Sequence, residues 1–229
     1  MNKRVEKIVE QIRHQYENID TILLFGSATE DSWTAASDID IFLIDDSLSD
    51  SREDLEIEDI SVEIQKDNFE NLAEDIKNEK GSLLNRNLST MISTSIVIKN
   101  DSSEKLIELK NIAKEVLDSK TTYTDEDIKM WLYSIDDYID KAEKDLTKND
   151  AVAFYLDANY ALQNTLELIL AKNNTFLPQP KNLKNLLEKI APEFLEIFEE
   201  FSLAATLPLK FSTLKSLRNL IMKDENGRN

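Results

Sequence analysis

Apolar residues Val5, Ile8, Val9 and Ile12 recur with helical spacing, so residues 3–17 read as an amphipathic helix. The next run, Thr21-Ile22-Leu23-Leu24-Phe25, is unbroken and stops at Gly26, which fits a short strand buried on both faces. A second such run, Ile39-Asp40-Ile41-Phe42-Leu43-Ile44, ends in Asp45-Asp46. A third segment, Asp59 to Gln65, alternates: Ile60, Val62 and Ile64 fall on one face, and Asp59, Ser61, Glu63 and Gln65 on the other. Residues 67–79 read as a helix. The β-branched pattern of Ile92, Thr94, Ser95, Ile96, Val97 and Ile98 reads as a further strand over 92–99.

From about Ser102 the period changes from two to 3.6 and stays there. Segments 102–118, 124–147, 150–173, 182–204 and 210–223 carry apolar residues at i, i+3, i+4, with Pro178, Pro180, Pro192 and Pro208 punctuating the later ones. Thr124-Asp125-Glu126-Asp127 offers a cap and an acidic first turn to the second of these. The expected fold is therefore α+β, strands and helices together over residues 1–110 followed by an all-α bundle over residues 111–229. The aromatics Phe154, Tyr155, Tyr160, Phe194, Phe198 and Phe201 recur at helical spacing and are expected in the core of that bundle.

Composition narrows the chemistry. With 27 basic and 45 acidic residues the formal charge is −18, spread along the whole chain. Such a surface repels phosphate backbones, so no nucleic-acid partner is expected, whereas a cationic small molecule or a basic protein would be attracted. No cysteine is present, which removes disulfides, thiolate metal sites and cysteine nucleophiles together. The single histidine, His14, falls off the apolar stripe of its helix and reads as a solvated residue, so neither a histidine triad nor a multi-histidine metal site can be built. Any metal must be held by oxygen. No apolar run approaches the ~20 residues of a membrane span and no signal-peptide pattern opens the chain, so no membrane partner and a cytoplasmic location are expected.

Chemistry concentrates between residues 22 and 65. One of only three glycines, Gly26, ends a buried strand and is followed at once by Ser27. A residue without Cβ lets the backbone approach a phosphate closely, and amides at a following turn, helped by the Ser27 hydroxyl, can donate to phosphate oxygens. Ser37-Asp38-Ile39-Asp40-Ile41 follows. Asp38 and Asp40, two apart on a strand, send both carboxylates to one face, roughly 7 Å apart at Cα from the ~3.3 Å rise, while Ile39, Ile41 and Leu43 point into the core. Two such groups can converge on one Mg²⁺ or bridge a pair, and uncompensated they would raise each other's pKa. Glu63, on the polar face of the third strand, is the candidate third carboxylate, either as a metal ligand or as a proton acceptor; Asp59 competes for the role. Acid-x-acid triplets are cheap in so acidic a chain, and those at 54–56, 56–58 and 125–127 are assigned to solvated surface.

The ordered combination of Phe25-Gly26-Ser27 with Ser37-Asp38-Ile39-Asp40-Ile41 resembles the signature of the polymerase-β-type nucleotidyltransferase superfamily. That resemblance implies a small mixed β-sheet flanked by helices, two Mg²⁺ ions on Asp38, Asp40 and Glu63, an NTP (ATP in the first instance) held by Gly26, Ser27 and Ser37, and transfer of a nucleoside monophosphate to an acceptor with release of pyrophosphate. Many small members carry an arginine shortly after Gly-Ser. Here Ala28-Thr29-Glu30-Asp31 follows, so the triphosphate must be neutralised from elsewhere.

The stretches Tyr155–Leu162 and Asn173–Lys181 are similar to the helical domain behind the catalytic domain in antibiotic nucleotidyltransferases. This implies Lys181 near the nucleotide phosphates, Asp157 near the acceptor hydroxyl as an alternative general base, and an aminoglycoside- or lincosamide-like acceptor, hence antibiotic resistance. A partner protein modified in the manner of an antitoxin enzyme is the alternative acceptor, and a nucleotide-binding protein without turnover is a third. Helical ribonuclease toxins need an arginine and a histidine close together, and no histidine follows residue 14.

Overall fold

The computed structural model describes residues 2–29, 33–34 and 36–226, the side chains of 222–226 excepted. The elements run α1 (Lys3–Gln15), β1 (Thr21–Phe25), a 3-10 turn (Gly26–Thr29), β2 (Ile39–Ile44), β3 (Ser51–Ile57), β4 (Ile60–Asp67), α2 (Phe69–Asn78), α3 (Asn87–Thr94), β5 (Ile96–Asn100), α4 (Ser103–Asp118), α5 (Asp125–Thr147), α6 (Ala151–Lys172), α7 (Pro180–Ile190), α8 (Pro192–Leu203) and α9 (Leu207–Asn226). The five strands form one sheet in the order β3-β4-β2-β1-β5, in which β2 and β4 are parallel and the other pairs antiparallel. This is the expected α+β class: a mixed sheet with helices, then helices alone.

Period-two alternation decides which residues meet which layer. Ile22, Leu24, Ile39, Ile41, Leu43, Ile60, Val62 and Ile64 face the stripe of Val5, Ile8, Val9 and Ile12 on α1. The opposite face puts Leu23, Phe25, Phe42 and Ile44 against α2, α3 and α4 through Phe69, Leu72, Ile76, Ile92, Leu106, Leu109, Ala113 and Val116. Both faces of β1 and β2 are covered, which is why these strands read as unbroken apolar runs. His14 is exposed and lies 3.3 Å from Glu10, one helical turn back.

The chain forms two compact units, one of Met1–Gly81 with Arg86–Ser119, the other of Ser82–Asn85 with Lys120–Asn229. Because α4 packs its apolar face on the sheet, the first unit runs through Ser119 instead of ending at residue 110. The second unit is built on Ile135, Ile139, Phe154, Ala158, Leu168, Phe194, Phe201, Leu214 and Leu217. Its α5 opens with a capping box in which Thr124 and Asp127 bond each other's backbone amides. The expected segment 182–204 is two helices, because Pro192 restarts the chain as the first residue of α8. Phe154, Phe194 and Phe201 are buried as expected, but Tyr155, Tyr160 and Phe198 are about 40% exposed and belong to the surface. Among the described residues no helix is long and apolar enough to cross a membrane.

One expectation in the first unit is overturned in part. Residues 92–95 are not strand: 92–94 complete α3, Ser95 caps it in an extended conformation, and β5 begins only at Ile96. The β-branched residues are outvoted by buried polar partners. The Glu79 carboxylate accepts the amides of Leu88 (2.9 Å) and Ser89 (2.8 Å) at the start of α3. The buried Arg86 donates through Nη1 to the carbonyls of Val116 (2.6 Å) and Ser119 (2.8 Å) at the end of α4. Glu79→Ala is expected to cost about 1–3 kcal/mol in urea unfolding, because one buried and one part-buried amide lose their acceptor. An unchanged midpoint would mean that α3 needs no such cap.

The acids of 54–58 are exposed, as expected, but they lie on an element the pattern did not show: an edge strand, β3, joined to β4 by a two-residue loop, Glu58-Asp59, with φ of 53° and 62°. Such a loop needs both residues in the left-handed region and usually carries Asn or Gly. Here Arg4 donates to the Glu58 carbonyl and Lys7 pairs with its carboxylate, so α1 holds the strained turn in place.

Candidate active site

Strand register assembles the site. At one level across the sheet, Phe25 of β1 faces Asp40 of β2, Asp40 faces Glu63 of β4, and Glu63 faces Asp54 of β3. Asp38, two residues before Asp40, shares its face. Carboxylate oxygens of Asp38, Asp40 and Glu63 all lie within 4.8 Å of one another, the three residues being exposed, half-buried and half-buried in that order. Parallel pairing of β2 with β4 brings together the carboxylates that their sequence pattern predicts on one face. Asp59 is not among them, since it occupies the hairpin loop.

Gly26 closes the other side. Its φ is +68°, and a Cβ built there would stand 2.0 Å from Oδ2 of Asp40. The glycine therefore serves both the left-handed turn and the close approach of a carboxylate to the backbone. Ser27 follows, half-buried, in the 3-10 turn that Thr29 closes by donating to the Gly26 carbonyl at 2.8 Å. The buried Trp33 donates its indole N–H to the Asp38 carbonyl at 3.2 Å, and the Ser37 amide bonds the Thr34 carbonyl at 2.9 Å, which anchors the approach to β2. Glu30 and Asp31, which stand where an arginine was looked for, lie outside the described residues.

Crowding perturbs one group strongly. Burial, then the Asp38 and Glu63 charges, push the Asp40 carboxyl up to about 6, with Arg52 acting in the opposite direction. Arg52 arrives from β3, its Nη2 2.8 Å from Glu63 and its Nε 3.0 Å from Asp54. Arg52 was not among the residues expected at the site. Its signal was the faint alternation of Glu53, Leu55 and Ile57 against Arg52, Asp54 and Glu56, leading into a two-residue loop.

The remaining candidates belong to the helical unit. Asp157 sits half-buried on α6, where burial and then a hydrogen bond with the Asp145 carboxyl raise its pKa, Lys141 opposing. Lys181 is exposed in the first turn of α7.

The family model for polymerase β nucleotidyltransferases matches residues 6–128. Among solved structures, the nucleotidyltransferase-like protein from Exiguobacterium sibiricum 255-15 superposes with a TM-score of 0.50 over 93% of this chain and 74% of its own, at 13% identity, a likeness of fold. No curated protein matches the sequence. The family match begins in α1 and ends in the first turn of α5, taking in every strand of the sheet and more than half of the chain; the chain thus belongs to the polymerase-β nucleotidyltransferase family and is a nucleotidyltransferase.

Proposed function

We propose that this enzyme moves AMP from ATP, in a Mg²⁺-dependent reaction, to a hydroxyl of a small cationic acceptor of the aminoglycoside or lincosamide kind. The convergence of Asp38, Asp40 and Glu63 beside the Gly26 turn carries the reading. The three groups offer oxygen ligands alone, the donor type that hard divalent ions prefer, and the reluctance of Asp40 to ionise without a cation marks the cluster as one that a divalent ion fits. Asp38, Asp40 and Glu63 would hold that ion. When bound, it supplies charge stabilisation for the transferring phosphoryl group.

The protein's own contribution is positioning. Gly26 lets the Asp40 carboxylate come up against the turn, the amide and hydroxyl of Ser27 can donate to phosphate oxygens, and the Ser37 hydroxyl is a further donor next to Asp38. We place acceptor charge selection on the excess of carboxylates, consistent with the net charge of −18.

The test is an acceptor panel incubated with Mg²⁺ and α-labelled ATP. Pyrophosphate release with an aminated small molecule, together with AMP on that molecule by mass spectrometry, is the expected result. Label found only on a polypeptide from the native host would move the acceptor to a protein. Tight ATP binding with no release across the panel would defeat the proposal. The acceptor hydroxyl also needs a base. If Asp157 fills that role, Asp157→Asn should lower kcat by about 10²-fold, the usual weight of a general base, with ATP affinity unchanged. An undiminished kcat would leave Glu63 as the candidate.

A further inference from the structure

The carboxylate row carries more negative charge than the family pattern requires, because Asp54 joins Asp38, Asp40 and Glu63 on the same face. Arg52 is the cation placed among them. It lies on Asp54's face of β3, two residues away, and bridges Asp54 and Glu63 at 3.0 and 2.8 Å. A purely structural cross-strand pair would do no more than hold β3 against β4. Two features point further. The Arg52 side chain is 55% exposed and that of Glu63 27%, so the pair is screened and easily opened. The carboxylate it occupies is also one of the three whose oxygens converge, so a single positive charge stands where a divalent ion would bring two. The turn after Gly26-Ser27 meanwhile supplies no arginine in sequence.

Resting on the assignment of Asp38, Asp40 and Glu63 as the metal site, we propose that Arg52 is an exchangeable counter-ion. It occupies Glu63 until a divalent ion takes that carboxylate, and the freed guanidinium then binds the triphosphate of the incoming NTP. The planar fork that now spans two carboxylates is equally suited to two phosphate oxygens. Metal entry and nucleotide capture are thereby coupled, because each favours the state in which Arg52 has left Glu63.

The experiment measures binding, independently of turnover. Mn²⁺ is titrated into the full-length, nucleotide-free protein and free Mn²⁺ is read by electron paramagnetic resonance. ATP affinity is then measured by equilibrium dialysis at saturating Mn²⁺. Arg52→Gln is expected to bind Mn²⁺ about fivefold more tightly and ATP about tenfold more weakly. Arg52→Lys keeps the charge without the fork and should restore the Mn²⁺ affinity while remaining weak for ATP. Unchanged or weaker Mn²⁺ binding by Arg52→Gln, with native circular dichroism, would overturn the competition. Unchanged ATP binding would overturn the transfer to phosphate. Asp40→Asn is the separate control: Mn²⁺ binding that survives it would defeat the metal site itself, whatever Arg52 does.

Discussion

Replacing Asp40 by Asn should reduce nucleotidyl transfer by roughly a thousandfold or more, the scale of several kcal/mol of lost transition-state stabilisation, while making the metal-free protein harder to unfold. Both effects have one origin. Asp40 lies between β1 and β4, backed by Gly26 and flanked by Asp38 and Glu63, so its charge is held where water is scarce and like charges are close. The arrangement suits a divalent cation and costs stability without one. The amide of Asn fills the same volume, removes the repulsion and abolishes an anionic ligand.

The pH dependence follows from the direction of the shift. The Asp40 carboxyl has its pKa raised to about 6 in the folded protein, above its ordinary value of 3.8. The folded state therefore binds the proton more tightly than the unfolded chain. The stability this gives is fully present below about pH 4 and is lost as pH rises through 6. Above pH 6 the ionised group weighs against folding by about 1 kcal/mol, the two-unit shift being discounted because the side chain is only half-buried. Asp40→Asn should thus melt above wild type at pH 8 and together with it at pH 4. Saturating Mg²⁺ should close the gap at pH 8 by stabilising wild type alone. Thermal melts at the two pH values, with and without Mg²⁺, measure this, and steady-state pyrophosphate release measures the catalytic half. Wild-type turnover in the variant would remove Asp40 from the site.

The elements legible in the sequence were those in which burial and period agree. β1 and β2 are covered on both faces and read as apolar runs; β4 is covered by α1 on one face and alternates. The same alternation made Asp38, Asp40 and Glu63 legible as one face each of two strands, and required only the parallel pairing of β2 with β4 to bring them together. β3 was hidden because an edge strand needs few apolar residues, and its loop uses Glu58 and Asp59 where Asn or Gly would have signalled a hairpin. Losing the strand meant losing Arg52 with it. α3 was misread for the opposite reason: its β-branched residues speak for a strand, and the partners that override them, Glu79 and the carbonyls bound by Arg86, are distant in sequence. Long-range polar contacts have no local period, so no reading of neighbours recovers them.

Gly26→Ala should be the most damaging single methyl in the first unit, and a double-mutant cycle can separate its two causes. An alanine at φ +68° incurs about 1–2 kcal/mol from crowding between Cβ and the backbone. The added carbon would also stand 2.0 Å from Oδ2 and 2.9 Å from Cγ of Asp40. No Cβ tolerates the first distance, and Asp40 cannot retreat as a unit because its strand is paired on both sides, with β1 at Phe25 and with β4 at Glu63. The carboxylate must rotate away from Asp38 and Glu63, so the variant should lose both stability, about 2–4 kcal/mol in urea unfolding, and transfer activity, by on the order of a hundredfold. In an Asp40→Ala background only Cβ of residue 40 remains, 3.4 Å from the new methyl, which is ordinary contact. The cost of Gly26→Ala should then fall to that of the backbone angle alone, leaving a coupling of at least about 1 kcal/mol between the two positions. An equal cost in both backgrounds would mean that the glycine serves only its turn, and that the close approach of Asp40 to the backbone contributes nothing to holding the carboxylates together.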